Sequence, residues 1–215
     1  MNAKKVLTGI KHYAVDTTGL LLASTPIYAA MEVFTSGMSV ATSLEARLKV
    51  AQLGYLGMGI AYAKGRDFSK KIFKIDEQAP EWKQTVHDSV YNVAFNIVFA
   101  TPIYLSSGAD LEQTIKGVAG ASTLGLVSGP INGYSIDTFR DFAGTKKSTR
   151  LPKPIQNIGS KTKKLIAAGL IAATIVTTAG VYKLKESTNK EPVKIEIQHN
   201  NLEKQIQSTY SNADF

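Results

Sequence analysis

At 215 residues the chain is long enough for one ordinary domain, and 25 Lys and Arg against 17 Asp and Glu leave a net charge of +8. The absence of cysteine excludes disulfides and thiolate-held zinc, and His12, His87 and His199 are too scattered to gather a metal. Mean hydropathy is near neutral at −0.04, but that average hides a segregation of charge.

Residues 17–31, 50–63, 89–109, 117–136 and 165–182 contain no Asp, Glu, Lys or Arg. A spanning helix needs about 17–25 apolar residues. The spacing therefore predicts an all-α, multi-pass membrane bundle, with the first two windows completed by flanking Gln, Thr and Lys that snorkel to the headgroups. Residues 1–16, 64–88 and 137–164 together hold seventeen Lys and Arg, whereas the two intervening loops hold only Arg47, Lys49 and Lys116. The positive-inside rule places the three basic stretches, and so the N-terminus, in the cytoplasm. The basic excess reads as topology, not as nucleic-acid binding. No cleavable signal is evident after the basic N-terminus.

In chain order, a first helix over about Tyr13–Phe34 contains Pro26 and turns at Ser36-Gly37. Thr42 with Glu45 three residues on predicts a capping box for a second helix rich in small residues. That helix leaves the membrane through Lys64, Arg66 and Asp67, and FSKKIFKI at 68–75 predicts an amphipathic end on the anionic leaflet. A third helix covers Ser89–Ala109, Asp110 with Gln113 repeats the capping signature, and a fourth runs to Ile136. A basic cytoplasmic linker over 143–164, with Pro152 and Pro154, reads as irregular. A fifth membrane helix spans 165–182, and 183–215 reads as a polar, weakly structured tail.

The first four helices, residues 1–142, hold two copies of one plan, about 13–75 and about 86–142. Asp16, Gly37 and Asp67 are answered by Asp88, Gly108 and Asp137, with Ser36 and Ser107 before the glycines. The expected arrangement is two parallel-repeat helical hairpins plus the fifth helix. Gly59 and Ala63, answered by Gly129 and Gly133, read as packing positions where helices approach closely in lipid.

Ionisable groups in membrane segments are costly and usually face the bundle. Ser24, Tyr28 and Glu32 share one face at i, i+4, i+8, and so do Asp88, Asn92 and Asn96. These stripes are the candidate hydrophilic path, with Asp16, Asp67 and Asp137 at its cytoplasmic end. Ion pairing with Arg66, Arg140 or Lys11, and of Glu32 with Arg47, is the competing structural role. No nucleotide loop, hydrolase triad or metal spacing occurs, so neither an enzyme nor a bound cofactor is expected.

AVDT at 14–17, EVFTSGMS at 32–39, Arg47-Leu48, Arg66-Asp67, Asp88, GAD at 108–110 and Asp137 together resemble the bacterial L-alanine exporter family over about residues 12–142. The resemblance implies a small inner-membrane protein of four helices that exports L-alanine on the proton motive force; residues 143–215 are an addition to that pattern. It implies a carboxylate that binds either a proton or the substrate ammonium group. Asp67 or Asp88 is the expected exchange site, with Arg66 near the substrate carboxylate and Glu32 on the outer half of the path. Four helices are few for a complete pathway, so a homo-oligomer is expected. The alternative is a non-transporting membrane scaffold or assembly protein whose acids form interfacial ion pairs.

Overall fold

The computed structural model describes the backbone of residues 3–75, 79–148 and 151–211, and the side chains within them except 3–6, 63–64, 66–67, 81, 84–85, 88, 127–133 and 189–211. All the regular secondary structure of the described residues is helical. α1 (Ala3–Ala30) runs into a π-helical turn, Met31–Thr35; α2 (Val40–Leu53) runs through a second π-helical turn, Gly54–Met58, into α3 (Gly59–Ile72). α4 (Glu81–Ser106) and α5 (Leu111–Phe142) form the next hairpin, followed by the short α6 (Lys153–Gln156) and the long α7 (Ser160–Ser211). α5 packs along α1 and α4, and α7 lies against α1.

The two hairpin turns have one construction. Gly37 and Gly108 take φ of 73° and 85°, a left-handed conformation that glycine adopts without steric cost. The serine before each is buried, with Ser36 Oγ on Met31 O and Ser107 Oγ on Ile103 O. Two residues after each glycine stands an N-cap: Ser39 accepts from Thr42 N at 3.0 Å, and Asp110 accepts from Gln113 N at 2.8 Å. Asp110 and Gln113 complete the expected capping box. The box expected from Thr42 and Glu45 does not form, because the chain enters α2 earlier; Ser39 is the cap and Glu45 instead pairs with Lys49 at 2.7 Å. Met38, Ala46, Ile103, Tyr104 and Ala109 pack the two turns together.

Hydroxyls along the helices fold back onto their own backbone. Thr18, Ser24, Thr101, Thr123, Thr174 and Thr178 each donate to the carbonyl four residues earlier, at 2.6–3.0 Å. Such back-bonding satisfies a hydroxyl without water. Much of the outer surface is apolar, including Leu56 (82% exposed), Phe68, Val90, Val98, Leu165 and Val176.

One expectation is met in part and two change. Among the described residues one helical stretch, Ser160–Thr188, is long and apolar enough by length and composition to cross a membrane, where five were expected. The other windows carry Gly, Ser, Thr, Tyr and Asn within their apolar runs, and a π turn breaks the second arm into α2 and α3, of 14 residues each. The 143–164 linker is partly ordered: α5 extends to Phe142, and Phe139, Phe142, Leu151 and Ala167 bury one another across it. The tail expected to be weakly structured instead continues α7 as helix to Ser211.

Candidate functional site

A cavity of about 500 Å³ lies between α1, the α2–α3 arm, α4 and α5. Ser24 and Tyr28 of α1 and Asn92 and Asn96 of α4 all line it, so the two stripes of i, i+4 spacing face the same space. Both stripes reach one backbone carbonyl of α5, since Tyr28 Oη and Asn96 Nδ2 stand 3.5 and 3.4 Å from Ala121 O. Gly125 makes room for the two amides: a Cβ there would overlap Asn92 Nδ2 and come within 3.0 Å of Asn96 Nδ2. Tyr62, Phe95 and Phe99 form an aromatic wall, with ring centroids 4.8 Å apart for Tyr62–Phe95 and 4.1 Å for Phe95–Phe99.

At one end the cavity meets Arg47 and Tyr104, and behind them lies Glu32. Glu32 belongs to the π turn that ends α1 and has no exposed surface. Arg47 Nη2 pairs with Glu32 Oε1, and Ser43 Oγ donates to Oε2 at 2.7 Å. The guanidinium also lies over the Tyr28 ring, 5.2 Å from its centroid, a favourable cation–π placement. Ser43 and Arg47 are four residues apart on α2, which aims both at the same carboxylate. The buried Arg47 Nε has no hydrogen-bond partner. The Tyr104 hydroxyl lies within interaction range of the carboxylate without the alignment of a formed hydrogen bond. The site therefore joins a buried acid, a buried guanidinium and spare donors at the end of an open cavity. Buried donors left unmade are costly, and a ligand that supplies acceptors removes that cost.

Asp16 and Asp137 sit elsewhere. Arg140 makes a two-pronged pair with Asp16 and a 3.5 Å contact with Asp137, so α5 is clamped to α1 at the opposite end of the bundle from Glu32. Neither acid lines the cavity. The side chains of Arg66, Asp67 and Asp88, and the packing positions Ala63, Gly129 and Gly133, lie outside the described residues. Gly59 faces Tyr13, whose ring would be 3.4 Å from an added Cβ. Gly19 lets α1 come against the α5 backbone, since an added Cβ there would stand 3.0 Å from Ile136 Cα.

Sequence reasoning did not reach Ser43, Tyr104 or Tyr182. Ser43 and Glu32 are separated by a turn whose geometry no spacing rule specifies. The repeat of TPIY at 25–28 and 101–104 is the sequence signal for Tyr104, which like Tyr28 lies near the end of a proline-bearing helix, but it falls one helical turn out of the register of the aspartates.

The model of the L-alanine exporter family, AlaE, matches residues 5–145, and the chain belongs to that family. Its relatives include the L-alanine exporters of Salmonella arizonae, 27% identical over 131 residues, and Escherichia coli strain K12, 26% identical over 132; each alignment covers 61% of this chain and 87% of the relative. The L-alanine exporter of Escherichia fergusonii is 28% identical over 126 residues, 58% of this chain and 80% of the relative. No solved structure matches the chain.

Proposed function

We propose that the chain is a multi-pass inner-membrane exporter of L-alanine or a similar small amino acid, and that the substrate binds at the Glu32–Arg47 end of the cavity. The observation that carries this reading is a buried, mutually neutralising acid and base beside an open cavity. An amino-acid zwitterion carries the same two charges. Its ammonium group can replace Arg47 on Glu32 while its carboxylate takes the guanidinium, so neither buried charge is left bare. A carboxylate that takes either a proton or an ammonium group, but not both, exchanges one for the other; that competition is the proposed link to the proton motive force.

Several features support the membrane setting: the apolar outer surface, the hydroxyls satisfied within their own helices, and a placement of Lys and Arg that favours a cytoplasmic N-terminus. Positions equally spaced from Asp16 and Asp88, namely Leu20 and Asn92, Ser24 and Asn96, and Tyr28 and Ala100, all line the cavity. So do Gly54 and Gly125, equally spaced from Gly37 and Gly108. This correspondence supports two parallel-repeat hairpins around a shared space. The acids at the other end, Asp16 and Asp137, hold helix ends; Asp67 and Asp88 remain candidates for a cytoplasmic proton step. A homo-oligomer completes the pathway in this proposal.

The test is efflux of labelled L-alanine from proteoliposomes with and without an imposed proton gradient. Protein-dependent, gradient-stimulated efflux that Glu32→Gln abolishes is the expected result. A chain that assembles in membranes yet moves no alanine is instead a scaffold.

A further inference from the structure

The family match ends at residue 145, and α7 lies wholly beyond it. This added helix nevertheless touches the Glu32 site. Tyr182 is buried, its hydroxyl stands 3.1 Å from Ser43 Oγ, and Ser43 in turn donates to Glu32 Oε2 at 2.7 Å. A serine hydroxyl has one proton to give. With Glu32 ionised, and so able only to accept, the proton of Ser43 is committed to the carboxylate, and Tyr182 must be the donor in the second bond. The chain reads Tyr182 to Ser43 to Glu32. Bonds in such a chain polarise one another, so the phenol strengthens the hold of Ser43 on the carboxylate.

The placement of Tyr182 is set by three anchors along α7. Thr174 Oγ1, whose one proton is shared with Leu170 O, stands 3.1 Å from Leu22 O of α1. The Tyr182 ring packs with Ala29 and Val33, the latter inside the π turn that carries Glu32. Lys185 Nζ lies 5.8 Å from the centroid of the Phe34 ring in the same turn. The added helix is thus docked on the segment that holds the acid. The other titratable groups facing this carboxylate are Arg47 of α2, Tyr28 of α1 and Tyr104 of α4.

We infer that Tyr182 is a positioning residue for the Glu32–Arg47 site, acting through Ser43, and that α7 thereby makes the C-terminal addition part of the transport machinery. The inference rests on the functional reading above. Removing the phenol proton takes support from the charged form of Glu32, so the carboxyl holds its proton to a higher pH.

The experiment compares full-length wild type, Tyr182→Phe, Ser43→Ala, the double variant and Glu32→Gln in proteoliposomes, measuring labelled L-alanine efflux across a series of pH values. Tyr182→Phe keeps the ring packing. It is expected to move the pH profile of efflux upward by ~0.5 unit, which lowers efflux about threefold on the acid limb of that profile. In the Ser43→Ala background the same substitution is expected to add nothing. If Glu32→Gln abolishes efflux while Tyr182→Phe matches wild type in rate and pH profile, the inference falls and the site reading stands. A Tyr182→Phe effect undiminished in the Ser43→Ala background also overturns it. If Glu32→Gln transports like wild type, the site reading falls and takes this inference with it.

Discussion

Arg47 reaches from α2 to Glu32 in the turn that ends α1, and both side chains are withdrawn from water, 10% and 0% exposed. Taking one charge away leaves the other buried and bare. Arg47→Ala is therefore expected to destabilise the fold by about 3–5 kcal/mol. The double variant Glu32→Gln with Arg47→Gln restores much of that loss but not transport, since a neutral pair offers a zwitterion nothing. Thermal unfolding of the detergent-solubilised protein beside efflux measurements separates the two effects.

The pair between Asp141 and Lys163 sets a pH limit. Burial opposes the charge on Asp141, but the Lys163 ammonium and the Ser148 N–H outweigh it and hold the carboxyl below its ordinary range. A carboxyl lowered by folding contributes stability that is complete above its unfolded value and is lost as pH falls through the folded one. The melting temperature is expected to hold from neutral pH down to the ordinary Asp range and then drop as the carboxyl protonates. Lys163→Met should lower the neutral plateau and remove most of that step.

Gly125→Ala tests the cavity. The new methyl meets the Asn92 and Asn96 amides, so efflux is expected to fall severalfold while the protein still assembles. Gly169→Ala on α7 is the control, because its Cβ enters open space. It should transport normally and gain up to about 1 kcal/mol from helix propensity. Equal efflux from the two variants would argue against this cavity as the route.

Asp16 and Arg140 are about three-tenths exposed, so their clamp is only partly shielded from solvent. Asp16→Asn is expected to cost about 1–2 kcal/mol of stability and to leave the pH profile of efflux unmoved. A displaced profile would return Asp16 to the proton route.

The i, i+4 spacing of Ser24 with Tyr28 and of Asn92 with Asn96 is a local property, and local spacing fixes which face of a helix a side chain takes. The Ser-Gly turns were legible for the same reason. What the chain does not display is which faces meet. Asp141 and Lys163 are joined only when Phe139, Phe142 and Leu151 fold the linker back, and Tyr182 finds Ser43 across 139 positions. The charge-free windows fall almost wholly within helices but do not mark where those helices end, so α7 runs on as helix where a break at Lys183 was expected.

The two π turns give that comparison of halves an arithmetic. Asp16 to Gly37 is one residue longer than Asp88 to Gly108, and Gly37 to Asp67 is one longer than Gly108 to Asp137. Each longer interval contains one π turn, Met31–Thr35 in the first and Gly54–Met58 in the second. A π turn closes over five residues instead of four, which is how a helix takes up a surplus residue. Without it, one extra residue would rotate everything beyond it by about 100°. The second arm takes up its surplus at a kink, where Gly57 has φ of 115°. Glu32 sits inside the first π turn, at the same spacing from Asp16 as Tyr104 from Asp88, and α4 carries Tyr104 without such a turn.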